Sequence, residues 1–325
     1  MIDKIFKYLL ANQVIAALVF AGLVWLILEV RYVLVGLFIS YIIMAALYPL
    51  VYFLRKRGVP NSLAVSLVYF AVLLFLALLI VPLIPFFGSQ VQLLFNSFPK
   101  YLDSAAKIFG FQIDPDQFKS LIASDAQALS NNAFTFTTKI FGGFFSLFTI
   151  IVVSFYLLLD HDRIRNRIIS FFAKSSQSKI SSILSRIEEK LGTWLRGQMI
   201  LSLFIGLIIW VSLTILGIDF ALPLGLLAGL LEIAPTIGPV ISAIPAVVVA
   251  FNISPTMAII IIVLYTVVQF LESHILVPRI MQKAVGLHPI VIIISVIVGS
   301  HLLGVVGALL AVPFVSILTI LAPEL

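Results

Sequence analysis

Residues 222–245 read LPLGLLAGLLEIAPTIGPVISAIP, as apolar as a membrane helix yet broken in the middle by Pro235, Gly238 and Pro239. Proline removes a backbone donor and its ring crowds the preceding turn, so the stretch reads as two half-helices meeting at Pro235-Thr236-Ile237-Gly238-Pro239, not as one rod. The break also carries Glu232, an acid in an otherwise apolar run. In hydrocarbon, freed carbonyls and a carboxylate need partners, and irregular backbone is tolerated there only against protein or a water-filled cavity. Transporters build substrate and ion sites at broken helices of this kind. The plainer alternative is a helix–turn–helix at the lipid surface, with Glu232 among headgroups.

Composition points the same way. The 325 residues are 62% hydrophobic and only 10% charged, with a mean hydropathy of +1.21, whereas a soluble domain carries about 25% charged residues. The chain therefore reads as an all-α polytopic membrane protein. It has no cysteine, which excludes disulfides, thiol catalysis and cysteine metal sites. Its net charge of +6 does not point to nucleic acid, because the basic residues lie between apolar spans and are explained by topology. Lysines precede the first apolar run as in a signal peptide, but the run continues to Val30 without a small-residue cleavage site, which predicts a retained first span.

Upstream of the broken stretch, residues 9–30 and 33–54 are each long enough to cross about 30 Å of hydrocarbon. Separated only by Arg31 and Tyr32, they predict a tight hairpin with Glu29 and Arg31 at its tip. Arg55, Lys56, Arg57 and Gly58 stop the second span, and Pro60, Asn61 and Ser62 open a third over 63–87. From Gly88 to about Asn132 the chain turns polar. Val91, Leu94, Phe95, Phe98, Tyr101 and Leu102 recur at helical spacing there, which predicts a helical extracytoplasmic insertion over 88–133, either a cap on the bundle or a gate. A fourth span, 134–159, ends in a charged run from Asp160 to Arg167. In the 161–196 segment, Ile180, Ile183, Leu184, Ile187, Leu191, Trp194 and Leu195 form one apolar stripe, so this helix should lie along the membrane surface or pack under the bundle. Gly197 and Gln198 open a fifth span, and 197–325 reads as the transport core.

Downstream, 256–278 is a further span, and 287–322 is a second apolar stretch interrupted between Gly299 and Gly304. Placing the N-terminal tail, 55–57, 160–196 and 279–283 on one side leaves only Arg31, Lys100, Lys107, Lys119 and Lys139 on the other; the basic side is cytoplasmic by the positive-inside rule. The 256–278 span alone then returns the chain to the cytoplasm, so 220–251 must cross an even number of times, as a re-entrant pair of half-helices or two short crossings. Residues 287–322 pose the same choice from the opposite face. The expected architecture has about eight membrane segments, two of them broken or re-entrant hairpins, around a midplane site, with both termini cytoplasmic.

Polar groups inside the spans mark the candidate pathway. Thr266, Gln269, Glu272 and Ser273 recur at helical spacing in 256–278 and need protein or water beside them, as helix–helix glue or as part of a substrate or cation path. His274 and His301 read as interfacial or bundle-bonded side chains. With Glu232, Pro235, Thr236, Gly238 and Pro239 from the first break and Gly299, Ser300 and Gly304 from the second, these residues make up the predicted substrate or ion pathway. No metalloprotease helix, phosphate loop, nucleophile elbow or cysteine nucleophile occurs, so neither an enzyme nor a bound cofactor or metal is expected.

Several stretches together resemble one family. They are Trp194-Leu195-Arg196-Gly197-Gln198; Gly225 to Pro245 with its Ala234-Pro235-Thr236-Ile237-Gly238-Pro239 core; Ile275 to Ile280; and Gly286-Leu287-His288-Pro289, leading to Gly304-Val305-Val306-Gly307-Ala308 and Ala311-Val312-Pro313. They are similar to the autoinducer-2 exporter family of bacterial permeases, over almost the whole chain. Thr236 stands where an aromatic is common in that family, and Ser300-His301 where small residues are usual. The resemblance implies a multi-pass protein of the inner membrane, a homopentamer, and elevator-like movement of the broken-helix part. It also implies export of a small polar solute such as the furanone autoinducer-2, or sodium or lithium exchange for protons. A membrane scaffold without flux is the reading from a different class. An inverted arrangement of the two hairpins predicts that single cysteines at Ile237 and Leu303 react with impermeant reagents from opposite sides; labelling of both from one side would exclude it.

Overall fold

The computed structural model describes residues 13–80, 133–233, 237–251, 253–281 and 289–322. The predicted insertion over 88–132, together with Pro235, Thr236 and the link 282–288, lies outside the described residues. In chain order the helices are α1 (Gln13–Glu29), α2 (Arg31–Lys56), α3 (Asn61–Ile80), α4 (Ala133–Leu159), α5 (His161–Ser170), α6 (Gln177–Ile215), α7 (Ala221–Leu231), α8 (Ile237–Phe251), α9 (Pro255–Leu271), α10 (Val277–Met281) and α11 (Pro289–Leu321). Among the described residues there is no strand. By length and composition, Arg31–Lys56, Lys174–Ile215, Pro255–Ile280 and Ile290–Leu321 can each cross a membrane, and the bent pair Phe145–Leu159 and His161–Ser170 can supply one more.

The expected hairpin between the first two spans is a bend instead. Val30 has φ −90° and ψ 6°, and helical bonding runs through it: its amide donates to Leu26 O at 3.0 Å, and the Leu34 amide donates to Val30 O at 3.0 Å. One residue this close to helical geometry tilts a helix without reversing it. A real reversal follows α2. Gly58 takes φ +86°, the Val59 amide closes on Leu54 O at 3.3 Å, and the left-handed cap that glycine tolerates ends the helix. Asn61 then opens α3, and its side-chain amide donates to Leu159 O at 2.8 Å, tying the start of α3 to the end of α4. Met44, Val51, Val65 and Leu158 fill the core of this α2–α3–α4 group.

The second group is built on α6. The sequence suggests a division near Gly197, but the helix runs unbroken for 39 residues, about 58 Å at the α-helical rise. Its N-terminal stripe packs under the bundle: Leu191 and Trp194 join Ile42 and Ala45 of α2 and Val312 of α11 in one cluster. Its C-terminal half packs with α7, α8 and α9 around Ile205, Ile209, Leu224, Ala228, Val249 and Ile261. Small residues allow this closeness. A methyl group on Gly225 would lie 2.5 Å from Trp210 Cβ, and one on Gly229 would lie 2.8 Å from Ser202 O, so α6 and α7 meet nearly backbone to backbone.

By length alone, α11 could be a single span. Its backbone is non-helical at Leu303 (φ −134°, ψ 15°) and at Gly304 (φ 62°, ψ −143°), and a side chain on Gly299 or on Gly307 would strike the other's carbonyl. Residues eight apart in a straight helix are separated by about 12 Å, so α11 folds back on itself at 303–304. A conformation that favours glycine sits at the fold.

The contact at Gly225 is open to a direct test. Gly225→Ala forces one methyl into Trp210 and should cost about 1–3 kcal/mol, seen as a lower unfolding temperature of the detergent-purified protein. Gly143→Ala, where a side chain meets nothing within 4 Å, should not lower it.

Candidate functional site

The first broken stretch is organised by packing and by one hydrogen bond. Gly217 (φ +66°) ends α6, with the Ile218 amide bonded back to Leu213 O at 3.0 Å, and Phe220 in a left-handed conformation starts α7. The glycine face of α7 lies against α6. At the end of α7, Glu232 is bonded through its amide to Ala228 O at 3.0 Å, while its own carbonyl has no next turn to bond. Gln198 of α6, itself 3% exposed, supplies the missing donor: its Nε2 donates to Glu232 O at 2.8 Å. Where the chain resumes in α8, Gly238 sits so close to Leu231 that a side chain would collide with the Leu231 carbonyl.

The Glu232 side chain is fully buried and Glu272 is 4% exposed. The two carboxyls lie within direct electrostatic reach of each other. Among the described residues, no group outside the pair bonds either oxygen of Glu232 or Oε2 of Glu272, the two carboxyls lie within hydrogen-bond reach of each other, and no salt bridge reaches either residue. A small cavity opens beside them between Pro239, Ser242, Tyr265, Gln269 and Glu272. Its volume, about 10 Å³, suits roughly one water-sized species. Tyr265 closes the wall, donating to Ser242 O at 3.4 Å, and the buried Ser242 hydroxyl donates to Pro239 O at 3.0 Å.

Glu272 also begins a π-helical turn, Glu272–Leu276, between α9 and α10. Pro278 follows inside α10 and has no amide hydrogen to give, so the helix passes it by widening its preceding turn. The span therefore continues to Met281 instead of stopping at Pro278.

The structure brings together only part of the predicted pathway. Glu232, Gly238, Pro239, Gln269 and Glu272 converge, while Pro235 and Thr236 lie outside the described residues. The polar stripe of 266–273 divides. Gln269 and Glu272 turn inward, but Thr266 and Ser273 are exposed and bond their hydroxyls to their own helix, at Ile262 O and Gln269 O, both 2.8 Å. Gly299, Ser300 and Gly304 belong to α11, whose Val312 packs with Leu191 and Trp194; the Ser300 hydroxyl bonds Ile297 O, and none of the three lines the cavity at Glu272. His274 stacks on Phe270 at the surface. Gln198, expected only to open a span and to belong to the family motif, and Tyr265 are not among the predicted pathway residues. A glutamine directly after glycine in an apolar helix was the available signal for the first; nothing local marked the second.

A second polar network lies nearer the N-terminus of α6, where Glu188 precedes Gln198 by ten residues, about 15 Å along the helix. His161, 5% exposed, points Nδ1 at Asp162 Oδ1 and Nε2 at Glu188 Oε1, both at 3.1 Å. Arg165 pairs with Glu188 Oε2 at 3.3 Å and donates to Ser181 O at 2.9 Å, while Arg55 pairs with Asp162 at 3.0 Å. Burial disfavours a charged imidazole, but the hydrogen bonds and charges of Glu188 and Asp162 outweigh it and raise the His161 pKa above its ordinary value.

A helical bundle with several apolar spans and two adjoining carboxyls buried beside a break fits a multi-pass membrane protein of transporter type. The chain belongs to the family described as AI-2E family transporter, which it matches over residues 14–324. It is 27% identical to the "Putative transport protein YrrI" of Bacillus subtilis over 91% of this chain and 87% of that protein. To the "Putative transport protein YhhT" of Escherichia coli K12 it is 29% identical, over 88% and 82% of the two chains. The "AI-2 transport protein TqsA" of the same strain is 27% identical, over 89% and 85%.

A raised folded-state pKa lends stability that is complete below the ordinary histidine pKa of about 6.5 and is lost as pH rises through the raised value. The unfolding temperature should therefore fall from acid to alkaline pH, and the fall should be shallower in His161→Gln, as a thermal series across neutrality would read.

Proposed function

We propose that this chain is a secondary transporter of the bacterial inner membrane that exports a small polar solute through the α6–α9 core, with both termini cytoplasmic. The observation that carries this reading is the pair Glu232 and Glu272, buried side by side with no cation beside them among the described residues, where α7 ends and where the helix after α9 widens. Two like charges side by side in an apolar interior are strongly disfavoured, so the pair holds a proton, a cation or a solute donor whenever the core is closed. Releasing that partner costs free energy unless the core opens, and this couples loading to movement. The α7–α8 and α11 folds act as hairpins entering from opposite faces among about eight membrane segments. Residues 88–133 form an extracytoplasmic insertion, and the assembly is a homopentamer with elevator-like core motion, as the resemblance implies.

The name of the TqsA relative supports an autoinducer-2-like furanone as the candidate solute, which the closed core, with room for about one water, would have to open to admit. Sodium or lithium exchange for protons is the second reading, favoured by the adjoining carboxyls themselves. Proteoliposomes loaded with a pH dye and given an outward sodium gradient separate the two. Antiport predicts proton movement that falls to the level of empty vesicles in Glu232→Gln and Glu272→Gln. Solute export predicts no such signal, but efflux of the furanone that both variants abolish; wild-type efflux in both variants would remove the pair from the pathway.

A further inference from the structure

Helix α5 leaves the end of α4 at 72°. With α4 upright in a bilayer, α5 would lie within about 20° of the membrane plane at its surface. Its exposed residues are of two kinds, polar Asp162, Arg163, Asn166, Arg167 and Ser170 and apolar Ile164 and Ile168. Ile164 and Ile168, one turn apart, are both exposed, and Phe171 just beyond the helix is 82% exposed with Phe172 beside it. The two isoleucines border a shallow cavity with Tyr41, Met44, Leu157, Leu184 and Glu188, so this partly exposed apolar row lies on the side of α5 that meets α2, α4 and α6, with Phe171 projecting beyond it. Arg163 and Arg167, also one turn apart, form the neighbouring row and are exposed.

The basic residues divide by role. Arg165 is consumed internally by Glu188 and by Ser181, and Arg55 by Asp162. Among the described residues, Arg163 and Arg167 have no acidic partner. The helix is also fixed in orientation, because buried His161 is held between Asp162 and Glu188 with Tyr48 against its ring, centroids 4.4 Å apart. A rigid helix with an apolar row beside an unpaired basic row matches the boundary between acyl chains and anionic headgroups.

We propose that the α4–α5 elbow is a docking surface for anionic phospholipid: Ile164, Ile168 and Phe171 enter the acyl boundary, and Arg163 and Arg167 hold the phosphodiesters. The surface is separate from the carboxyl pair and does not depend on which solute is carried.

The absence of cysteine makes the test clean. Phe171→Cys in the full chain, labelled with an environment-sensitive fluorophore, is reconstituted in vesicles containing phosphatidylcholine and phosphatidylglycerol, one of them spin-labelled at a shallow acyl carbon. The proposal expects strong quenching by lipid, with phosphatidylglycerol enriched around the label. Arg163→Gln and Arg167→Gln should each lower that enrichment about fivefold. High salt should lower it in the protein with both arginines intact, which keeps the test valid if a variant fails to fold. Equal quenching by both lipids, quenching by aqueous iodide alone, or shielding from lipid and iodide together, as under a second copy of the chain, would each overturn it.

Discussion

A carbonyl without a following turn cannot stay unpaired inside an apolar bundle, and the core of this protein is arranged around satisfying one. Stopping α7 at Glu232 frees the Glu232 carbonyl, and Gln198 bonds it from the neighbouring helix. That bond requires α6 to run beside the break at backbone distance, which Gly206, Gly225 and Gly229 permit. It also requires α6 to be continuous where its apolar and amphipathic halves join. The break, the glycine contact and the long helix are thus one solution to one electrostatic demand.

Once the carbonyl is satisfied, the groups beside the break that still lack an outside partner are carboxyls. Glu232 and Glu272 are brought together by elements that each depart from regular helix, one by ending and the other by widening into a π turn. An ordinary α-helix through 272–276 would leave no slack for Pro278. The irregularity that accommodates a proline thus falls at the same residue that supplies the second acid. Stability alone gives no reason to keep two buried carboxyls side by side, since apolar residues of similar volume would cost less.

Much of this was legible in the sequence because it rests on local chemistry. The prolines and glycines of 235–239, the glycine at 304 and the Arg55–Gly58 stop all announce breaks, and breaks occur at or beside those places. Glu232 and Glu272 stand out as acids in apolar runs. Partners set by tertiary packing were hidden: Gln198 reads as the start of a span until the end of α7 is seen against it, and Thr266 and Ser273 share helical spacing with Gln269 yet face outward with their hydroxyls bonded to their own backbone. The chain bends at Val30 where a hairpin is expected, because two charged or polar residues between apolar runs signal a surface, not a reversal; no glycine or proline stands there to turn the chain.

The unbroken course of α6 has a mechanical meaning. Backbone hinges need residues whose φ and ψ can change, and between 177 and 215 every backbone bond is committed to a helix. The joint between the N-terminal bundle and the carboxyl-bearing core is therefore a crossing of surfaces: Gly192 lies flush on the Ala45 carbonyl, and the Arg196 guanidinium clasps the Ala46 carbonyl at 2.9 Å. A joint of that kind slides or pivots as a bearing does, and the torque it carries passes through one stiff shaft.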